Sequence, residues 1–134
     1  MTNLFQNSTV LVVEDEEHNW FLIKEFFELF DIKTFWATNA DRAMHYFSQH
    51  EDISLVLLDM KLPQVSGYEI APMIKTKRPE VKILAQTAYA QPEDEERCYN
   101  VGCDGYISKP FSIPELENAI VKVMNLPQES VNKA

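Results

Sequence analysis

The sequence predicts an α/β fold: a doubly wound parallel sheet of five strands, with five helices shared between its two faces. Two observations carry this. Strand-length apolar runs alternate with helix-length stretches from end to end, the pattern of successive βα units. One of those runs, Leu55-Val56-Leu57-Leu58 within Ser54 to Pro63, is continuously apolar, as suits a strand covered by helices on both faces. The length of 134 residues sets the scale. Five such units fit one domain, and a chain of this size buries roughly two thirds of its unfolded surface, enough for a core without staples.

The elements follow in order. Thr9 to Val13 is a β-branched apolar run, followed by the acids Glu14, Asp15, Glu16 and Glu17. A helix is expected from there to about Phe30, with Trp20, Ile23, Phe27 and Phe30 among its apolar positions. Trp20, Phe21, Phe26, Phe27 and Phe30 are too many for one core stripe, so some are expected to face outward, as a docking face or as plain surface. Ile32 to Ala37 alternates like a half-exposed edge strand, and Asn39 can cap a second helix running to about His50. The third strand ends in Asp59. After Pro63 and Gly67 comes the third helix, to about Lys77, with Pro72 inside it and Pro79 beyond its end. Val81 to Ala85 reads as the fourth strand. Pro92 sits near the start of the fourth helix, whose first turn holds Glu93, Asp94, Glu95 and Glu96, acids that suit the positive end of a helix dipole. Gly105 to Ile107 is a short fifth strand. Ser112 and Glu115 form a capping box with Phe111 and Leu116 as its hydrophobic staple, and the last helix runs to about Asn125. Residues 8–126 are expected to form the domain, with 1–7 a flexible N-terminus and 127–134 a flexible tail or the start of a linker.

Bulk properties remove several function classes. The net charge of −9 disfavours nucleic acid as a direct partner, because phosphate binding needs clustered Lys and Arg. No stretch approaches the apolar length of a membrane span, and MTNLFQNSTV has neither the basic nor the apolar region of a secretory signal. Cys98 and Cys103 lack metal or redox spacing and read as reduced cysteines of a cytoplasmic protein. His18, His45 and His50 lack partners at ligand spacing and read as surface or packing residues.

The chemistry gathers where strands end. Glu14 and Asp15 follow the first strand, Asp59 ends the third, Thr87 follows the fourth and Lys109 follows the fifth. In a parallel sheet all of these emerge on one edge, the edge where ligands bind. Singly, each has an ordinary explanation. Asp59 could begin a turn before Pro63, the acidic run could be a solvated helix start, and Thr87 and Lys109 could be turn and surface residues. Together they place three carboxylates, a hydroxyl and an ammonium around one cleft. Three close carboxylates repel and need protonation or a cation. Oxygen-only donors favour a hard divalent ion, and Mg²⁺ binds one or two carboxylates while keeping several waters. A carboxylate can also act as nucleophile toward a phosphoryl group. The Mg²⁺ and Lys109 would then neutralise the phosphoryl oxygens, and Thr87 could donate to another.

These pieces carry a resemblance. VVEDE at the first strand, LLDMKLP at the third, QTAYA at the fourth and GYISKPF at the fifth resemble, in order and spacing, the receiver domain of two-component response regulators, over residues 8 to 125. The resemblance implies a flavodoxin-like receiver fold with sheet order 2-1-3-4-5. It implies that Asp59 accepts a phosphoryl group from a phosphohistidine on a histidine kinase or histidine phosphotransfer domain. It implies that Glu14, Asp15, Asp59 and the backbone carbonyl of Lys61 hold Mg²⁺. Lys109 would pair with the phosphoryl group, with a cis bond to Pro110. Thr87 would move to bond the phosphate and Tyr106 would swing inward with it. The face made by the fourth helix, fifth strand and last helix would then change shape, and it also offers a surface for a homodimer. Such a protein is a signalling phosphoacceptor and not an enzyme in the ordinary sense, since it catalyses only its own phosphorylation and dephosphorylation.

Departures from the family pattern are modest. Glu14 stands where the family has Asp or Glu. Asp31 and Ala40 stand where Gly is frequent, which touches turn geometry only. Lys61 and Tyr89 lie two residues past Asp59 and Thr87, positions that in the family tune water access. Both are bulky and are expected to slow hydrolysis, so a Lys61→Ala, Tyr89→Ala variant should lose its phosphoryl group faster; an unchanged rate would contradict this. Two rivals fit less well. A phosphatase of the haloacid dehalogenase type would carry a second Asp where Lys61 stands. A flavodoxin-like nucleotide-binding module would need a Gly- or Ser/Thr-rich phosphate loop where four acids stand. The chain reads either as a stand-alone receiver or as one cut from a longer chain, and AQTAYAQPEDEERCYNVGCDGYISKPF is similar to receivers of hybrid sensor kinases.

Overall fold

Ten elements alternate along the chain in the computed structural model, which describes residues 8–88 and 91–125. They are β1 (Thr9–Val13), α1 (Glu17–Glu28), β2 (Lys33–Ala37), α2 (Ala40–Gln49), β3 (Ile53–Asp59), α3 (Gly67–Lys77), β4 (Lys82–Thr87), α4 (Pro92–Asn100), β5 (Gly105–Ser108) and α5 (Ile113–Met124). All pairings are parallel and the sheet order is β2-β1-β3-β4-β5. The chain leaves β1 toward β2 on one side and returns to β3 on the other, so the reversal of strand order lies between β1 and β3. The expectations for residues 1–7, for the tail 127–134 and for Tyr89 fall outside the described residues.

Strand periodicity sorts the core into two layers. Leu11, Val13, Val56, Leu58, Ile83 and Ala85 face one side, against Phe47 of α2, Ile70 and Ile74 of α3 and Cys98 of α4. Val10, Val12, Leu55, Leu57 and Leu84 face the other, against Trp20, Ile23 and Phe27 of α1 and Leu116 and Ile120 of α5. Helices α1 and α5 therefore cover one face, and α2, α3 and α4 the other. Strand β2 is a half-exposed edge as expected, with only Ala37 fully buried.

Helix ends follow local chemistry. Asn39 caps α2 by accepting the Arg42 amide at 2.9 Å. Ser112 and Glu115 close the expected capping box on α5, with Phe111 and Leu116 both buried beside it. A second capping box, Ser66 with Glu69, starts α3. Helix α1 stops at Glu28, two residues short of the expected Phe30. The Ile32 amide bonds back to the Phe27 carbonyl at 3.1 Å, and Asp31 takes the left-handed conformation, φ 55°, that this closure requires. Asp is among the few side chains that accept it readily, so the missing Gly is tolerated.

Further boundaries differ from expectation. Strand β4 starts at Lys82 and continues past Ala85 through Gln86 and Thr87, because their backbones still pair with Asp59 and Ser108. Their polar side chains hid this in the sequence. Strand β5 likewise gains Ser108, and α5 ends at Met124, with Asn125 as a left-handed cap. Of the five aromatics on and after α1, only Phe21 is exposed, at 50%. Trp20 stacks on Trp36 with ring centroids 5.1 Å apart, Phe26 and Phe27 are buried, and Phe30 packs against the same layer. His50 stacks on Phe35 at 4.0 Å, a packing role, while His18 and His45 are exposed.

Candidate functional site

Sheet register builds the site. Val13 lies opposite Leu58 and Asp59 opposite Gln86, so Glu14 and Asp59 leave adjacent strands side by side. Thr87 lies opposite Ser108, and the amide of Lys109 donates to the Thr87 carbonyl at 2.7 Å, which ties the β5 exit to the end of β4. The Lys109–Pro110 peptide is cis. The carboxyl ends of four strands thus surround one cleft of about 370 Å³, lined by Asp15, Asp59, Lys61, Pro63, Ala88 and Lys109.

The carboxylates converge. Glu14, Asp15 and Asp59 each offer an oxygen, and these oxygens all lie within 4.8 Å of one another. Glu14 and Asp59 are buried, at 0% and 3% exposure, while Asp15 is exposed on the cleft wall. An all-oxygen set of this spacing fits a hard divalent cation. Lys109 Nζ reaches Asp59 Oδ2 at 2.9 Å and Glu14 Oε1 at 3.0 Å. Asp59 Oδ1 accepts the backbone amide of Lys61 at 3.0 Å, and the Lys61 side chain stands exposed on the rim.

Burial dominates the electrostatics of Asp59. It holds the carboxyl above the usual aspartate range, with the Glu14 charge pushing the same way and the Lys109 ammonium and Lys61 amide opposing. Burial alone would pull Lys109 down, but its hydrogen bond and attraction to Asp59, together with Glu14, keep its ammonium above the ordinary lysine value. Thr87 is buried as the last residue of β4, and Tyr106 is half-buried on neighbouring β5, opposite Ala85. Glu14, Asp15, Asp59, Lys61, Thr87, Tyr106 and Lys109 therefore all lie at or beside this edge.

The sequence reading missed Asn19, Gln86 and Trp36. Asn19 Nδ2 donates to Glu14 Oε1 and to Gln86 Oε1, and Trp36 Nε1 donates to the Glu14 carbonyl at 2.7 Å. A signal existed for Gln86: a polar residue between Ala85 and Thr87 in an otherwise apolar run. Nothing in the sequence distinguished Asn19 from a surface residue. The two free cysteines are buried, with the Cys103 amide bonded to the Cys98 carbonyl at 3.1 Å, away from the cleft. No helix among the described residues is long and apolar enough to cross a membrane.

Known proteins share this fold. The family model described as the response regulator receiver domain matches residues 10–121. The chain is 35% identical over 114 residues to the polar-differentiation response regulator DivK of Brucella anthropi, covering 84% of this chain and 92% of the relative. Among solved structures, a CheY-like response regulator receiver domain protein from Methanospirillum hungatei is similar with a TM-score of 0.80 and 26% identity, over 96% of this chain and 99% of that one. The co-crystal structure of the Saccharomyces cerevisiae histidine phosphotransfer signaling protein Ypd1 and the receiver domain of its downstream response regulator Ssk1 contains another match. Its TM-score is 0.79 at 25% identity, over 87% and 88% of the two chains. The convergence of Glu14, Asp15, Asp59, Thr87 and Lys109 on one sheet edge and the match over residues 10–121 lead to one conclusion: the chain belongs to the response regulator receiver domain family.

Proposed function

We propose that this chain is the phosphoacceptor of a two-component phosphorelay, with Asp59 as the residue that takes the phosphoryl group. The observation that carries this is the contact of a buried Asp59 with Lys109 at 2.9 Å inside a cluster of three carboxylates. The donor is a phosphohistidine on a histidine kinase or a histidine phosphotransfer protein, a reading supported by the similarity to a receiver crystallised with such a protein. In the transfer the P–N bond to imidazole breaks, a bond from an Asp59 oxygen to phosphorus forms, and the imidazole leaves with a proton. The chemistry is confined to this one side chain, so the chain acts as a signalling domain.

Each neighbour has a part. Glu14, Asp15, Asp59 and the Lys61 carbonyl hold Mg²⁺, whose charge offsets that of the phosphoryl oxygens. Lys109 exchanges its contact with the Asp59 carboxylate for one with the phosphoryl group. Thr87 donates its hydroxyl to the same group, and Tyr106 on the adjoining strand follows. The added charge and acceptor oxygens bias a two-state equilibrium of the α4–β5–α5 face. That face is where an output partner or a second copy would bind. The setting is the cytoplasm, where Cys98 and Cys103 stay reduced.

Intact mass after incubation with Mg²⁺ and acetyl phosphate tests the reading. One labile phosphoryl adduct is expected on the wild type, dependent on Mg²⁺ and missing from Asp59→Asn. An adduct of equal yield on Asp59→Asn, or none on the wild type, would overturn it.

A further inference from the structure

The site contains polar side chains that the acceptor chemistry does not use. Asn19, in the first turn of α1, donates from Nδ2 to Glu14 Oε1 at 2.5 Å and to Gln86 Oε1 at 3.0 Å. Gln86 is fully buried on β4 and faces the layer covered by α1 and α5.

Their orientations are forced in sequence. A carboxylate only accepts hydrogen bonds, so Asn19 must turn its amide nitrogen toward Glu14. The same nitrogen reaches Gln86, so Gln86 must present its carbonyl oxygen. The amide nitrogen of Gln86 is thereby turned away, and this buried Nε2 has no partner among the described residues. An apolar side chain of equal length would not carry that desolvated donor. Position 86 is therefore not optimised for stability. What Gln86 supplies is a fixed acceptor for Asn19, and through it a fixed Glu14.

Glu14 needs such a brace. Its side chain has three torsions, and in the site it is held by the Glu16 amide on Oε2 at 3.0 Å and by Lys109. Lys109 is shared with Asp59, so it is not a dedicated clamp. Asn19 holds the carboxylate from a side chain that bonds Gln86 and not the acceptor. We infer that Asn19 and Gln86 are positioning residues that fix the Glu14 carboxylate for binding a divalent cation, Gln86 acting through Asn19. The inference rests on the metal-site reading above. Outer residues that orient metal ligands typically set affinity by about 10- to 100-fold.

The test uses the full chain, calorimetric titration with MgCl₂ and thermal melting. Gln86→Met is expected to melt as high as the wild type or higher, yet bind Mg²⁺ about 10-fold more weakly. Asn19→Ala should weaken binding similarly, and the double variant should bind no more weakly than Asn19→Ala, because one acts through the other. A purely structural role would lower the melting temperature and leave the Mg²⁺ affinity unchanged. Asp15→Asn separates the two readings. If the wild type binds no Mg²⁺, or Asp15→Asn binds it equally well, the metal site itself falls and this inference with it. If Asp15→Asn weakens binding while Gln86→Met binds like the wild type, or if the two brace substitutions weaken binding additively, the brace alone is overturned.

Discussion

At the scale of single residues the site stores unfavourable electrostatics. Asp59 is buried beside Glu14, and its folded-state pKa lies above the ordinary value because desolvation outweighs Lys109. Linkage fixes the sign. A carboxyl whose pKa rises on folding contributes stability that is fully present below its unfolded pKa, about 3.9, and is lost as pH climbs through the folded value. In metal-free protein the burial of Asp59 therefore opposes folding increasingly as the pH rises above the unfolded value. Asp59→Asn in EDTA should be more stable than the wild type by on the order of 1 kcal/mol at pH 7, with the gain vanishing toward pH 4. Thermal melts across that range check this, and an Asn variant that melts lower at pH 7 would contradict it. The buried nitrogen of Gln86 is a reservoir of the same kind, of about 1–3 kcal/mol. Both are expected where a fold gives up stability for a site.

At the scale of elements, the loops that leave the strands hold these residues in place. The β3–α3 connection doubles back closely, with the Gly67 amide bonded to the Met60 carbonyl at 3.1 Å. A Cβ on Gly67 would meet the Asp59 carbonyl oxygen and the Met60 Cα at 2.7 Å each, both backbone atoms that cannot swing aside. Gly67→Ala should thus displace the segment that presents Asp59 and the Lys61 amide. A loss of about 1–3 kcal/mol is expected by denaturant unfolding, together with slower phosphorylation by acetyl phosphate. Wild-type stability and rate in that variant would show that the close approach is unimportant. The sequence revealed the elements themselves, because their patterns are those of buried strands and capped helices. It obscured their ends where polarity and pairing disagree: Gln86 and Thr87 look like a loop but complete β4, since backbone pairing is indifferent to side-chain polarity. Asn19 stayed hidden because its role exists only once the fold brings the first turn of α1 within hydrogen-bond reach of Gln86.

At the scale of the whole molecule the site is a product of topology. Sheet order β2-β1-β3-β4-β5 brings Glu14, Asp59, Thr87 and Lys109 from four strands to one edge although they are up to 95 residues apart in sequence. Order and spacing were legible in the chain, and so the residues at this edge could be chosen. The brace on Glu14 and the pinning of two carboxylates by one lysine were not, since they depend on register. The chain also carries 21 acidic residues and a net charge of −9, a surface that repels anionic donors in general. Among the described residues two buried carboxylates, Glu14 and Asp59, have the Lys109 ammonium poised beside them, and of these Asp59 lines the cleft, so one carboxylate among the 21 should react. Borohydride reduction of the protein treated with Mg²⁺ and acetyl phosphate, followed by peptide sequencing by mass spectrometry, reads this directly, because reduction of an aspartyl phosphate leaves homoserine in its place. Homoserine at position 59 and at no other acidic position is the expected result; homoserine elsewhere with Asp59 intact would contradict the assignment of Asp59 as the acceptor.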